Sequence, residues 1–182
     1  MNSMKNLIVS GQKLYLRNHV WVRLIQSPHL NTNFLWRIDV GITDRGLDDI
    51  GDVTSIENFI GKSDSIDRSD RSSLNNQKLK TGDDVLKINW DAHFISAADE
   101  LYHTSWESIS DTTTLVSPLG GTLGEICLED ETMIDSDTTL FTMRTDNECI
   151  QRRKGDFLHF DAYQEFVGTS EHGKFYEFDH SS

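Results

Sequence analysis

Apolar residues alternate with polar ones over most of this chain, the period-2 signature of strands. In Lys13 to Ile25, Leu14 and Leu16 and then Val20, Val22 and Leu24 alternate around a polar Arg17-Asn18-His19 break. Phe34 to Ile42 reads as a second strand, reached through a Pro-, Asn- and Ser-rich turn from Ser27 to Asn33. Thr43 then stands where a helix N-cap belongs, with Asp44 in the first turn and Gly51 as the stop. Asp52 to Phe59, Val85 to Trp90, Trp106 to Ile109 and Leu115 to Leu128 are further strands, the last broken at Ser117-Pro118 and Gly120-Gly121. Thr139 to Arg144 is the final one. Asp161 to Gly168 has the spacing of a short helix, with Tyr163, Phe166 and Val167 on one face. Residues 91–105 carry no decisive period. The sum is mainly β, a small barrel or sandwich with two short helices.

Residues 62–80 break this pattern. They are rich in Ser, Asp and Asn, and only Ile66, Leu74 and Leu79 are apolar, too few to offset ordering entropy. The segment is therefore expected to be a mobile loop insertion in a domain spanning 13–168. An extension, 1–12, precedes that domain and a tail, 169–182, follows it.

Composition narrows the function. At 182 residues the chain is long enough for one complete core. Its 17 basic and 30 acidic residues give a net charge of -13, which argues against nucleic acid as a partner. No apolar run approaches a membrane-spanning length, so a membrane is not expected either. Residues 1–38 contain five bases (Lys5, Lys13, Arg17, Arg23, Arg37) and no acid, one trait of a mitochondrial presequence, although strand pattern begins at Leu14. Cys127 and Cys149 match no metal or disulfide motif and are expected to be small buried thiols in a reducing compartment.

Asn18-His19-Val20-Trp21-Val22 is similar to the opening His-Glu-Trp-Val of the glycine cleavage system H proteins, the first of four segments that resemble that family in order. Val40-Gly41-Ile42-Thr43-Asp44, with Leu47 to Val53, follows its Val-Gly-Ile-Thr-Asp … Glu-Leu-Gly-Asp-Ile segment. Trp106-Glu107-Ser108-Ile109, with Leu115 to Gly121, follows its Val-Glu-Ser-Val-Lys … Leu-Tyr-Ser-Pro-Val-Ser-Gly segment. Leu140 to Met143 and Asp161 to Phe166 resemble its last strand and last helix. The resemblance implies a flattened lipoyl/biotinyl-type β-barrel of two facing hairpin sheets, with short helices including one at the C-terminus. It also implies a carrier that catalyses nothing itself. In the family, a lysine at a hairpin tip holds lipoate, which shuttles the aminomethyl group of glycine between enzymes.

The key position departs from that pattern. Counting three residues on from Glu107, or eight back from Pro118, gives Ser110 in both cases. A serine hydroxyl cannot form the lipoyl amide, so no cofactor is expected at Ser110, and Glu107 remains only as flanking motif. Lys87 lies in a strand, and Lys78 and Lys80 lie in the insertion. The resemblance points to glycine cleavage or lipoate-handling enzymes as partners, in the mitochondrial matrix of a eukaryote or the cytoplasm of a bacterium. The alternative is a non-catalytic interaction or regulatory module on the same scaffold.

The other constellations read as ordinary structure. Asp91, His93, Asp99, Glu100 and His103 match no metal spacing and suit a polar loop. Ser110-Asp111 suits a β-turn better than a nucleophile elbow. His19 is expected to make a local hydrogen bond beside Trp21, and Trp36, Trp90 and Trp106 are expected in or beside the core. Arg152-Arg153-Lys154, the only basic cluster after residue 38, is read as a solvated turn able to meet an acidic partner.

Overall fold

The computed structural model describes residues 10–26, 36–58, 76–98, 104–127 and 133–168. In chain order the elements are β1 (Lys13–Tyr15), β2 (Val20–Gln26), β3 (Trp36–Ile42), α1 (Asp44–Ile50) and β4 (Asp52–Asn58), followed by β5 (Lys78–Leu79) and β6 (Asp84–Ala98). Then come β7 (Thr104–Val116), β8 (Gly121–Ile126), β9 (Phe141–Thr145), α2 (Asn147–Arg153), a 3-10 turn (Lys154–Asp156) and α3 (Phe160–Val167).

Among the described residues, nine strands make two antiparallel sheets. One has the order β1-β2-β3-β9-β8-β5, the other β4-β6-β7. A single apolar core joins them. Val22, Leu24, Ile38, Val40, Leu123 and Phe141 of the larger sheet meet Leu86, Ile88, Trp90 and Leu115 of the smaller. Fully burying side chains of this size contributes about 1.5–3 kcal/mol each, which makes this shared layer the main force holding the sheets together.

The alternation that identifies the strands is not kept throughout. Val20-Trp21-Val22 is buried on both faces of β2, and β3 is buried continuously from Ile38 to Ile42. The second face of β2 is covered because Trp21 is packed between the Lys13 ammonium, 4.3 Å from its ring, and the backbone of Gly41. Gly41 has to be glycine: a Cβ there would lie 2.4 Å from both the indole and the Thr138 carbonyl. Asp39, on the same face, is buried between Arg23 Nη2 at 2.7 Å and Arg37 Nε at 3.0 Å, so the charge is paired rather than stranded.

Helix α1 forms where the caps place it. Thr43 Oγ1 accepts from Gly46 N at 3.1 Å, and Gly51 closes the helix at φ 75°, a conformation open to glycine. Helix α3 runs as expected to Gly168 and buries Tyr163.

Several expectations are corrected. A third helix, α2, occupies Asn147–Arg153, so Arg152 and Arg153 end a helix rather than sit in a turn. Its cap is Asp146, whose carboxylate accepts from Cys149 N at 2.7 Å, while Ile150 is its one buried anchor. Residues 76–80 of the expected insertion belong to the fold. Leu79 is buried, and β5 pairs with β8 through Lys78↔Thr122 and Leu79↔Gly121. Residues 62–75 of the insertion and the tail 169–182 lie outside the described residues, as do Asp99, Glu100 and His103. Cys127 is exposed just past the end of β8, and Cys149 is half-buried, so neither is a core thiol. No helix among the described residues is long and apolar enough to cross a membrane.

Candidate functional site

Strands β6 and β7 form one long antiparallel hairpin, and Ser110 lies within it. Ser110 pairs with Asp91, and the ladder continues outward through Ala92↔Ile109, Phe94↔Glu107 and on to Ala98↔Thr104. Glu107 is thus a strand residue nearer the hairpin end than Ser110. The Ser110-Asp111 pair is not a turn, as the sequence suggested, but continuous strand. The ladder is extended by pairing with its partner strand, which the weak pattern of residues 91–105 does not announce.

The faces of this sheet differ sharply. Leu86, Ile88 and Trp90 point into the core with Thr113 and Leu115, and Trp90 Nε1 donates to Thr113 Oγ1 at 3.0 Å. The opposite face is polar. Asn89 Nδ2 donates to Ser55 Oγ at 2.8 Å and to Glu57 Oε1 at 2.9 Å. Ser110 is exposed on this outer face, in a row with Asp91 and then Asp52 of β4. Lys87 pairs with Thr114, four residues along β7, which puts it about 13 Å from Ser110 at ordinary strand rise. The described residues contain no metal-binding group.

The second polar assembly is buried, and sequence reasoning did not find it. His19 has a positive φ of 61° and a side chain with 0% exposure. Its Nδ1 lies 2.8 Å from the Tyr163 hydroxyl, which lies 2.8 Å from Thr43 Oγ1. The bond expected to be local instead joins residues 144 apart. Nε2 faces Asp49 at 4.0 Å, and Asp49 pairs with Arg45 at 2.8 Å. One arrangement gives every hydroxyl proton an acceptor: Gly46 N–H to Thr43, Thr43 to Tyr163, and Tyr163 to Nδ1, leaving Nε2–H towards Asp49. Burial pushes the Tyr163 hydroxyl up to about 12, and the neighbouring Asp49 charge adds to the rise, so it stays a neutral donor. The one signal in the sequence was Tyr163 on the apolar face of α3. The left-handed turn that aims His19 at it has none.

No protein-family model, curated protein or solved structure matches the chain.

Proposed function

We propose that this chain is a glycine cleavage H-like protein on a flattened lipoyl-type scaffold, which has given up the covalent carrier step and acts by binding other proteins. The reading rests first on the resemblance. The residues that carry it also hold structural posts. Gly41 admits the Trp21 ring, Thr43 caps α1, and Gly51 ends it. Ser117, buried at the turn between β7 and β8, donates to the Leu119 carbonyl at 2.7 Å. Two antiparallel sheets facing across one core suit a flattened barrel of that type.

One observation carries the loss of carrier chemistry. The aligned position is Ser110, inside strand β7 and beside Asp91, rather than an amine at a hairpin tip. A swinging arm works by reach, and mid-strand attachment would hold its root in the sheet. The partners that fit this reading are glycine cleavage or lipoate-handling enzymes, bound through surface rather than cofactor.

The test is intact mass of the protein purified from cells with active lipoylation machinery, paired with competition in a glycine decarboxylase assay. The expected result is an unmodified chain that competes with the lipoylated carrier. A lipoyl adduct of about 188 Da would overturn the proposal. So would failure to compete at any concentration.

A further inference from the structure

In a chain of net charge -13, four basic residues line one groove. Lys78 and Lys80 come from the two-residue edge strand β5 and the residue after it, and Arg152 and Arg153 from the last turn of α2. The groove between them has a volume of about 570 Å³, within the ~300–1,000 Å³ usual for small-molecule sites. Its walls are brought together by fold contacts that the sequence does not announce. The pairing of β5 with β8 sets Lys78 against Thr122 and Leu79 against Gly121, and Ile150 anchors α2 in the core.

The charges are available to a ligand. Among the described residues neither Lys78 nor Lys80 takes part in an ion pair. Arg152 pairs with Glu148 and Arg153 with Asp156, but the Glu148 pair is solvent-exposed and the Asp156 pair at least half so on its acidic side. Pairs of this kind contribute about 0–1 kcal/mol, so either guanidinium can exchange its partner for a better one. The one carboxylate lining the groove, Asp146, is engaged as the α2 cap. The floor is small and uncharged. A Cβ at Gly120 would sit in ordinary contact, 3.7 Å from Cys149 Sγ and 3.8 Å from the Leu79 carbonyl. Cys149 stays protonated at neutral pH because burial pushes its thiol up, so it adds no negative charge.

We infer that this groove binds a small organic diphosphate, held between the two lysines on one wall and the two arginines on the other. Arginine forks match phosphate oxygens in pairs, and a lysine adds a point charge to a second phosphate. Two cationic walls about a groove of this size suit two linked anionic groups with an organic remainder. An acidic peptide would need positive charge continuing beyond the groove, whereas Glu148 and Asp156 lie against its two arginines. The inference stands independently of Ser110 and of carrier chemistry.

The experiment is calorimetric titration of the full chain with ADP, with pyrophosphate and with a glutamate-rich peptide, at near-physiological ionic strength. Saturable one-to-one binding of ADP and pyrophosphate is expected, weakened about tenfold or more by Lys80→Glu and by Arg153→Gln. Arg17→Glu, which alters net charge as Lys80→Glu does but lies outside the groove, should leave affinity unchanged. Lys78→Met gives a second, charge-neutralising variant, and a melting curve on each confirms the fold. Absence of saturation, equal weakening by Arg17→Glu, or peptide binding as tight as that of pyrophosphate each overturns the inference.

Discussion

His19 Nδ1 and the Tyr163 hydroxyl meet at 2.8 Å, tying the start of β2 to the last helix across nearly the whole chain. Neither group reaches water: His19 is 0% exposed and Tyr163 2%. Tyr163→Phe removes one hydroxyl, so the buried His19 Nδ1 loses its Tyr163 contact and Thr43 Oγ1 is left with the Gly46 N–H. The expected cost is about 1–3 kcal/mol, because an orphaned buried polar group costs more than the bond itself contributed. Denaturant unfolding measures it. A loss below about 0.5 kcal/mol would show that the contact is dispensable.

The same tyrosine fixes a pH dependence. Its hydroxyl is raised from 10.0 to about 12 in the folded protein by burial. Above pH 10 the unfolded chain gives up this proton while the folded chain keeps it, so unfolding releases a proton and stability falls with rising pH. The contribution is whole below pH 10 and lost as pH rises through about 12. Tyr15 is shifted the same way, first by burial and then by Asp137 and Asp44. Tyr163→Phe should therefore flatten the alkaline limb of stability against pH without abolishing it. An unchanged limb in the variant would assign that dependence to other groups.

The local rules were legible in the sequence wherever one residue governed one element. Thr43 and Gly51 bound α1 at the positions their chemistry requires, and Gly168 closes α3. The mainly β character followed from period-2 runs such as Val20 to Leu24. What could not be read depended on partners distant in sequence. Residues 91–98 and 104–105 have little pattern of their own and become strand by pairing with each other. That pairing moved Ser110 from an expected turn into β7. Helix α2 offers only Ile150 to the core, too little for a visible apolar face. The basic groove joins an edge strand at residue 78 to a helix ending at residue 153, a meeting that no local motif encodes.

Gly41→Ala tests the packing that buries the outer face of β2. The added methyl would lie 2.4 Å from Trp21 Cε2 and Cζ2 and from the Thr138 carbonyl oxygen, so ring or strand has to shift. Overpacking of this kind costs about 1–3 kcal/mol, and here the upper end is expected because one of the obstructing atoms is backbone. Trp21→Leu is destabilising by itself, yet in combination with Gly41→Ala it makes room for the methyl. The two effects should fall short of their sum by about 0.5 kcal/mol or more in a double-mutant cycle. Simple additivity would mean that Trp21 and Gly41 are not coupled.

Ser110→Lys separates residue identity from placement. If only the amine were missing, restoring it would restore a lipoylation site. The strand position predicts otherwise. Ser110 is exposed on the polar face of β7, paired with Asp91 and a further strand away from Asp52. A lysine there lies along the sheet towards two carboxylates instead of projecting from a turn. Stability should change by no more than about 0.5 kcal/mol, since the site is solvated and packs against nothing. After co-expression with an active lipoate ligase the variant should keep its unmodified mass. Appearance of the adduct of about 188 Da on Lys at this position would mean that recognition tolerates a mid-strand lysine, and that one substitution separates this chain from a working carrier.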